Sequence, residues 1–336
     1  MTQAPKRDHG GGLDAAISRY GGTRADWLDL STGINPVPYP VGDLPGDALS
    51  ALPDAEAERT LLAAARRFWQ VPASAGILAA PGASSLIAQL PRLAPPGSVR
   101  IDPPTYNEHA AAFDANGWRI VEGHSGRTAD ARVVVHPNNP TGALWDGAGD
   151  HRLLIVDESF CDIAPSNSFT ARAGGNTLIL KSFGKFWGLA GLRLGFLIGD
   201  PAPVGRIRGW LGPWPVSGPA LAIGAAALSD ADWADATRER LAQDADRLDR
   251  AMIRAGAQAV GGTPLFRLYR VDDAAAWQDR LAQHKIWSRI FPYSKTWLRL
   301  GLPHPDRRDR LEAALGTAGG ATSRTRSGTS ARPAAR

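Results

Sequence analysis

An α/β fold with a mainly parallel sheet is predicted by three observations along the chain. Between about residues 75 and 200, short apolar runs alternate with helix-like segments. Those runs are apolar at successive positions rather than at every second one, as strands covered by helices on both faces require. Polar segments follow directly on several of them, and ligands of open α/β sheets bind beyond the carboxyl ends of the strands.

The elements follow in order. Ile77-Leu78-Ala79 reads as a strand, P-G-A-S-S as a turn, and residues 86–93 as an apolar helix. Residues 99–101 read as strand, 106–116 as helix and 118–121 as strand. Val133-Val134-Val135, residues 153–156 and Leu178-Ile179-Leu180 are continuous apolar runs bounded by turn residues. After Gly199-Asp200-Pro201 the texture changes. Pro213-Trp214-Pro215 and Gly218-Pro219 break the chain, and a long helical pattern covers 232–255. Residues 265–268 and 297–300 look like strands, with helices near 274–284 and 307–315. The expected organisation is an extended N-terminal arm over 1–40 on the side of the small domain, and a large domain over 41–210. A small α+β domain over 211–318 and a basic tail over 319–336 follow.

Composition narrows the class. A chain of 336 residues with 43% hydrophobic and 21% charged residues has the make-up of a globular protein. No apolar run approaches the ~20 residues that span a bilayer, and the first residues lack the apolar core of a secretory signal. One cysteine, Cys161, supplies neither a disulfide framework nor a zinc cluster, so no metal is expected. A cytoplasmic protein with no membrane partner is predicted. The net charge of +5 invites a nucleic-acid reading, but Arg324, Arg326, Arg332 and Arg336 in the tail account for four of those charges. The remainder is nearly neutral, so no nucleic-acid partner is expected. Only five of 38 basic residues are lysines, so a lysine in an apolar stretch is a candidate for amine chemistry, which arginine cannot perform.

The polar groups at the strand ends carry the chemistry. H-P-N-N-P-T-G follows Val135, Asp157-Glu158 follows Val156, and K-S-F-G-K-F-W-G-L-A-G-L-R-L-G follows Leu180. Each has a plainer reading alone: Asp157 as a helix cap, Asn139 as a turn residue, Lys185 as a surface lysine, Gly82-Ala83-Ser84-Ser85 as a loop and cap. L-L-I-V-D-E also looks like the acidic strand of a P-loop nucleotidase, but the chain has no G-x-x-x-x-G-K-[ST].

Taken in order, the motifs resemble the fold-type I pyridoxal-phosphate enzymes of the class I/II aminotransferase superfamily. The likeness rests on G-A-S-S at Gly82, P-T-Y at Tyr106, N-P-T-G at Asn139, D-E-S-F at Asp157, S-F-G-K at Lys185 and G-L-R-L-G at Arg193. It covers roughly residues 9 to 316. It implies pyridoxal 5'-phosphate as cofactor, carried by Lys185 as an imine. Lys185 then serves as proton donor or acceptor at the substrate Cα. Asp157 is expected to pair with the ring nitrogen, Asn139 to donate to the phenolate oxygen, and Tyr106 to stack on the ring. The amides of Ala83 and Ser84, with Ser182 and Arg193, are expected to hold the phosphate.

Within the superfamily the likeness narrows to the threonine-phosphate decarboxylases of cobalamin biosynthesis, with histidinol-phosphate aminotransferases as the alternative. H-G-G at His9, L-S-T-G-I-N-P at Asn35 and the arginines of S-R-I-F-P-Y-S-K-T-W-L-R-L carry it. The implied substrate is a small phosphorylated amino acid contacted by His9, Gly10, Asn35, Asn139, Arg289 and Arg299. The implied assembly is a homodimer. Three departures stand out. Phe160 occupies the place of a tyrosine that donates to the phenolate oxygen in relatives. Leu52 replaces a tyrosine that many relatives send across the dimer interface. The stretch from 142 to 153 is too short for a full crossover helix.

Overall fold

The computed structural model describes residues 8–123, 129–147 and 152–319, so nearly all of the expected basic tail lies outside the described residues. The first forty residues depart from the expected extended arm. Leu13–Tyr20 is a helix, α1, because Leu13, Ala16, Ile17 and Tyr20 recur at i, i+3, i+4 and i+7. That stripe packs with Trp27, Ala282 and Trp287. A short strand, β1 (Leu28–Asp29), follows.

The central layer then builds up through α2 (Ala55–Phe68), β2 (Gly76–Ala80), α3 (Ala83–Gln89), β3 (Ser98–Arg100), α4 (Asn107–Ala115) and β4 (Arg119–Val121). It continues with β5 (Ala131–Val135), β6 (Leu154–Asp157), β7 (Thr177–Ser182) and β8 (Gly195–Gly199). These form a seven-stranded sheet in the order β2-β8-β7-β6-β5-β3-β4. Strands β4, β3, β5, β6 and β7 run parallel, while β8 is antiparallel to both its neighbours. The expected α/β class with a mainly parallel sheet therefore holds. Strand β8 was not foreseen, since its apolar run follows straight on the Arg193 motif. Between β5 and β6 the described residues contain no helix, in keeping with the short spacing.

Register brings the strand ends level. Val135 lies opposite Asp157, and Asp157 opposite Leu180. Ile155, Val156, Leu178, Ile179 and Leu180 are fully buried, which is why these runs are apolar on both faces. Each large apolar side chain so buried contributes about 1.5–3 kcal/mol before chain entropy is subtracted. The centre of the sheet is thus the rigid platform from which the polar strand ends project.

The remainder is α5 (Pro201–Leu211), α6 (Gly218–Leu228), α7 (Ala231–Arg254), β9 (Gln258–Thr263), β10 (Phe266–Arg270) and α8 (Ala274–Gln283). Then come β11 (Ile286–Trp287), β12 (Arg289–Phe291), β13 (Ser294–Gly301) and α9 (Arg308–Gly319). Helix starts are capped as the sequence suggests: Asp200 accepts from the Ala202 amide at 2.9 Å, with Pro201 at the first helical position. Four strands form an antiparallel sheet, β12-β13-β10-β9. The arm joins this part through β1, which pairs in parallel with β11, Leu28 opposite Ile286. No helix among the described residues is long and apolar enough to cross a membrane.

Below the strand ends sits a buried charge cluster. The Lys181 amine is 2.6 Å from Glu158 and 3.4 Å from Asp162. The indole N–H groups of Trp69 and Trp187 donate to the same Asp162 at 2.9 and 3.2 Å. Removing one member strands the others without a counter-charge. Lys181→Met is therefore expected to destabilise the fold by roughly 3–5 kcal/mol, read as a lowered midpoint in urea unfolding.

Candidate active site

The carboxyl ends of β2, β5, β6 and β7 open on one cleft of about 620 Å³. Ala83, Ser84, Tyr106, Asn139, Asp157, Ser182, Lys185 and Arg193 all line it. The structure thus brings together every residue expected to hold the cofactor.

Lys185 is fixed by its neighbours. Phe183, Phe186 and Trp187 are fully buried. The Trp187 ring stacks on Phe183 at 5.1 Å and on Trp233 at 5.3 Å. The backbone turns away at Gly188 (φ +72°), where a Cβ would lie 2.6 Å from Cα of Pro38. Among the described residues no hydrogen bond or ion pair holds the Lys185 amine, which lies 5.4 Å from the Phe160 ring centroid. Burial, reinforced by the charges of Arg299, Arg193 and Arg289, pushes its pKa down to about 8 against the opposing pull of Asp157. Lys181 is the contrast: Glu158 and Asp162 overcome its burial and raise its pKa. Of two lysines four positions apart, only Lys185 is suited to nucleophilic amine chemistry.

Asp157 is buried, which alone would raise its pKa. Bonds from His109 at 2.7 Å and from the Ser159 hydroxyl and amide at 2.5 and 2.9 Å outweigh that and hold it ionised. Asn139 accepts through Oδ1 from the Arg299 guanidinium. With Oδ1 so held, its Nδ2 is left to donate. Tyr106 stands edge-on to His109, ring centroids 6.0 Å apart, and burial followed by the Asp157 charge pushes its hydroxyl up to about 12. At the start of α3, Gly82 takes φ +84°, and a Cβ there would lie 2.6 Å from Nη2 of Arg193. The absent side chain is the space the guanidinium occupies. Helix-start amides beside a guanidinium form a cradle for an anion.

The residues expected to meet the substrate divide. Arg289 and Arg299 face each other directly across β12 and β13. Each has a buried Nε without a hydrogen-bond partner. Arg299 also donates to the Ser31 carbonyl at 2.7 Å, and its pKa is lowered by burial and by Arg289. His9 lies 2.9 Å from Glu108, its ring 6.2 Å from that of Tyr106. Gly10 passes close by: a Cβ there would lie 2.5 Å from the Ser31 carbonyl and 3.4 Å from Nη1 of Arg289. Asn35 is the correction. Its Nδ2 donates to the Phe186 carbonyl at 2.8 Å, and its Oδ1 accepts from Arg240 at 2.7 Å and from the Val37 amide at 3.1 Å. Its own amide donates to the Lys185 carbonyl at 2.9 Å. The side chain is spent on holding the Lys185 loop; like His9, Gly10, Arg289 and Arg299, it is not among the residues lining the cleft itself.

His109 was missed from the sequence. It lies in the first turn of α4, three residues after its N-cap Tyr106, and that i, i+3 spacing was the available signal. Nothing in the sequence marks Asp8, whose carboxylate reaches Arg289 at 2.9 Å.

An unpaired amine, a carboxylate kept ionised beneath it, an amide donor and a cradle shaped around Gly82 together suit pyridoxal phosphate. Fold and site define a pyridoxal-phosphate enzyme. Residues 46–315 match the model for aminotransferase class I and II, and the chain belongs to that family. It is 41% identical over 318 residues to a threonine-phosphate decarboxylase of Sinorhizobium sp., covering 88% of this chain and 92% of that one. It is 38% identical to a threonine-phosphate decarboxylase of Pseudomonas aeruginosa, covering 92% and 97%. Among solved structures, a histidinol-phosphate aminotransferase of Sinorhizobium meliloti in complex with pyridoxal-5'-phosphate shares the fold. Its TM-score is 0.75 at 20% identity, over 92% of this chain and 94% of that one.

The two lysines give a direct test. Borohydride reduction of the holoenzyme and peptide mapping are expected to tag Lys185 and leave Lys181 unmodified. A second test uses pH. In the cofactor-free protein below pH 8, folded and unfolded chains both carry the Lys185 proton, and the folded state bears the full cost of burying it. From about 8 to the ordinary 10.5 the unfolded chain binds more protons, so stability rises with pH and the cost disappears. Lys185→Met is therefore expected to stabilise the cofactor-free fold at pH 7 by about 2–3 kcal/mol, with the gain fading as pH nears 10.5. Denaturant midpoints across pH check this.

Proposed function

We propose that the chain decarboxylates L-threonine O-phosphate to (R)-1-amino-2-propanol O-phosphate, the linker unit of the cobalamin nucleotide loop. The observation that carries this reading is the arginine pair. Like charges directly opposite on neighbouring strands destabilise a hairpin, yet Arg289 and Arg299 occupy such positions with Nε atoms to spare. A substrate with both a phosphate and a carboxylate matches both cations. Histidinol phosphate, the substrate of the alternative reading, carries one anionic group. The two relatives named as threonine-phosphate decarboxylases support the same choice.

When bound, pyridoxal phosphate supplies an electron sink for the pair left as the bond from Cα to the carboxylate breaks. Lys185 holds the cofactor and, once released, delivers the proton that Cα takes up. Asp157 keeps its charge for the ring N–H, Asn139 donates Nδ2 to the phenolate oxygen, and Tyr106 covers the ring. Ala83, Ser84, Ser182 and Arg193 hold the cofactor phosphate. Arg289 and His9 take the substrate phosphate, with Gly10 letting the arm pass close. Arg299, held by Asn139, would take the substrate carboxylate and orient it for loss, so that the electron sink supplied by the cofactor serves decarboxylation rather than proton loss.

The working unit is a homodimer. Leu52 and Trp214 are 64% and 57% exposed on the two sides of Pro53, an apolar surface of the kind that a partner subunit covers. Light scattering is expected to give twice the chain mass.

Carbon dioxide release from L-threonine O-phosphate without added 2-oxo acid tests the reaction. A strict 2-oxo acid requirement with pyridoxamine phosphate accumulating would support the aminotransferase instead. Arg289→Ala is expected to raise KM by about 30-fold or more, with the cofactor absorbance unchanged. Arg299→Ala is expected to lower kcat, seen in the same assay.

A further inference from the structure

The arm presents an anion to the site. Asp8 Oδ2 lies 2.9 Å from Nη2 of Arg289, and the Asp8 carbonyl accepts from the same nitrogen at 3.2 Å. That carbonyl also accepts from Asn107 Nδ2 at 2.8 Å, and the next residue, His9, lies 2.9 Å from Glu108. Residues 8 and 9 therefore bridge the start of α4 to the hairpin of β12 and β13, with the His9 ring 6.2 Å from that of Tyr106, which lines the cleft. Behind them the chain is tied down. The Gly11 amide donates to Ser31 Oγ at 2.7 Å and Trp287 Nε1 donates to the Gly11 carbonyl at 3.1 Å. Gly11 and Gly12 take φ of +88° and +73°. Glycine at these two positions lets the chain take that left-handed turn at its anchored end.

We propose that Asp8 is a built-in competitor for the anion site at Arg289, displaced by the phosphate of the substrate. This rests on the reading that Arg289 receives that phosphate. The carboxylate supplies the counter-charge that Arg289 lacks from its own hairpin, where its cross-strand neighbour is another cation. A phosphate dianion carries more charge than a carboxylate and has oxygens for the orphaned Nε as well, so it wins the exchange. An amino acid without a phosphate brings nothing to Arg289 that Asp8 does not already provide. Asp8 thereby discriminates against unphosphorylated threonine, besides keeping an empty site from leaving two like charges unpaired. The Asp8 side chain is 38% exposed and that of Arg289 14%, so the pair is partly screened and its removal should be felt modestly.

The test compares holoenzyme variants by the KM for L-threonine O-phosphate and the Ki of inorganic phosphate as competitive inhibitor. Asp8→Asn keeps the shape and removes the charge. It is expected to lower both constants by about 3- to 10-fold. In an Arg289→Ala background the same substitution should change neither, a coupling that a merely structural arm contact would not produce. Asp8→Asn that leaves both constants unchanged, or raises them, overturns the competitor role. If Arg289→Ala weakens substrate and phosphate in that case, the phosphate reading of Arg289 survives alone. If Arg289→Ala also leaves both constants unchanged, both readings fall.

Discussion

The amine of Lys185 is buried within the field of three guanidinium groups, and much of the surrounding structure answers to the cost of keeping it there. An amine buried in that field either gives up its proton more readily or carries its own carboxylate. The second solution is the one found at Lys181, four residues earlier. The two carboxylates are dealt to opposite sides of the sheet by strand geometry, since consecutive residues at the end of β6 face opposite ways. Asp157 meets His109 on one face, and Glu158 meets Lys181 on the other. One acid serves the cleft and the other serves the fold. Lys185 keeps no acid of its own, and its pKa falls.

The arginine hairpin carries the complementary cost. Two cations sit directly opposed in a sheet, where cross-strand pairs ordinarily contribute to stability. The chain makes this tolerable with neutral and anionic partners taken from elsewhere: the Ser31 carbonyl and Asn139 for Arg299, and Asp8 for Arg289. Two of those partners come from the first 31 residues. The arm thus contributes directly to the electrostatics around the arginine pair. Its pairing with β11 through β1 holds it in place.

How much of this could be read from sequence follows from the range of the forces involved. The parallel strands were legible because burial on both faces leaves continuous apolar runs, and the ring-side residues because they follow those runs directly. Strand β8 was hidden because its apolar run adjoins a motif and carries no turn signal of its own. Helix α1 was hidden by the glycines around it, although its i, i+3, i+4, i+7 stripe was present. Asn35 was misplaced for a different reason. A side-chain amide suits a substrate and a backbone carbonyl equally well, and only the fold shows Arg240 and Phe186 meeting it. Asp8 and His109 act through partners about 280 and 50 residues away, a separation that no local pattern encodes.

Phe160 ties these observations together. It stands where a tyrosine hydroxyl would donate to the cofactor's phenolate oxygen, and its ring instead packs on Phe266 and under the Lys185 amine. On the proposed reading Asn139 is left to orient that oxygen, and Asn139 is itself held by Arg299. The same arginine would then set both the donor to the ring and the partner for the carboxylate. Burial heads the causes lowering the Lys185 pKa, and the charges of Arg299, Arg193 and Arg289 add to it. Arg299 is the residue that joins Asn139, the Ser31 carbonyl and the charge field around the Lys185 amine.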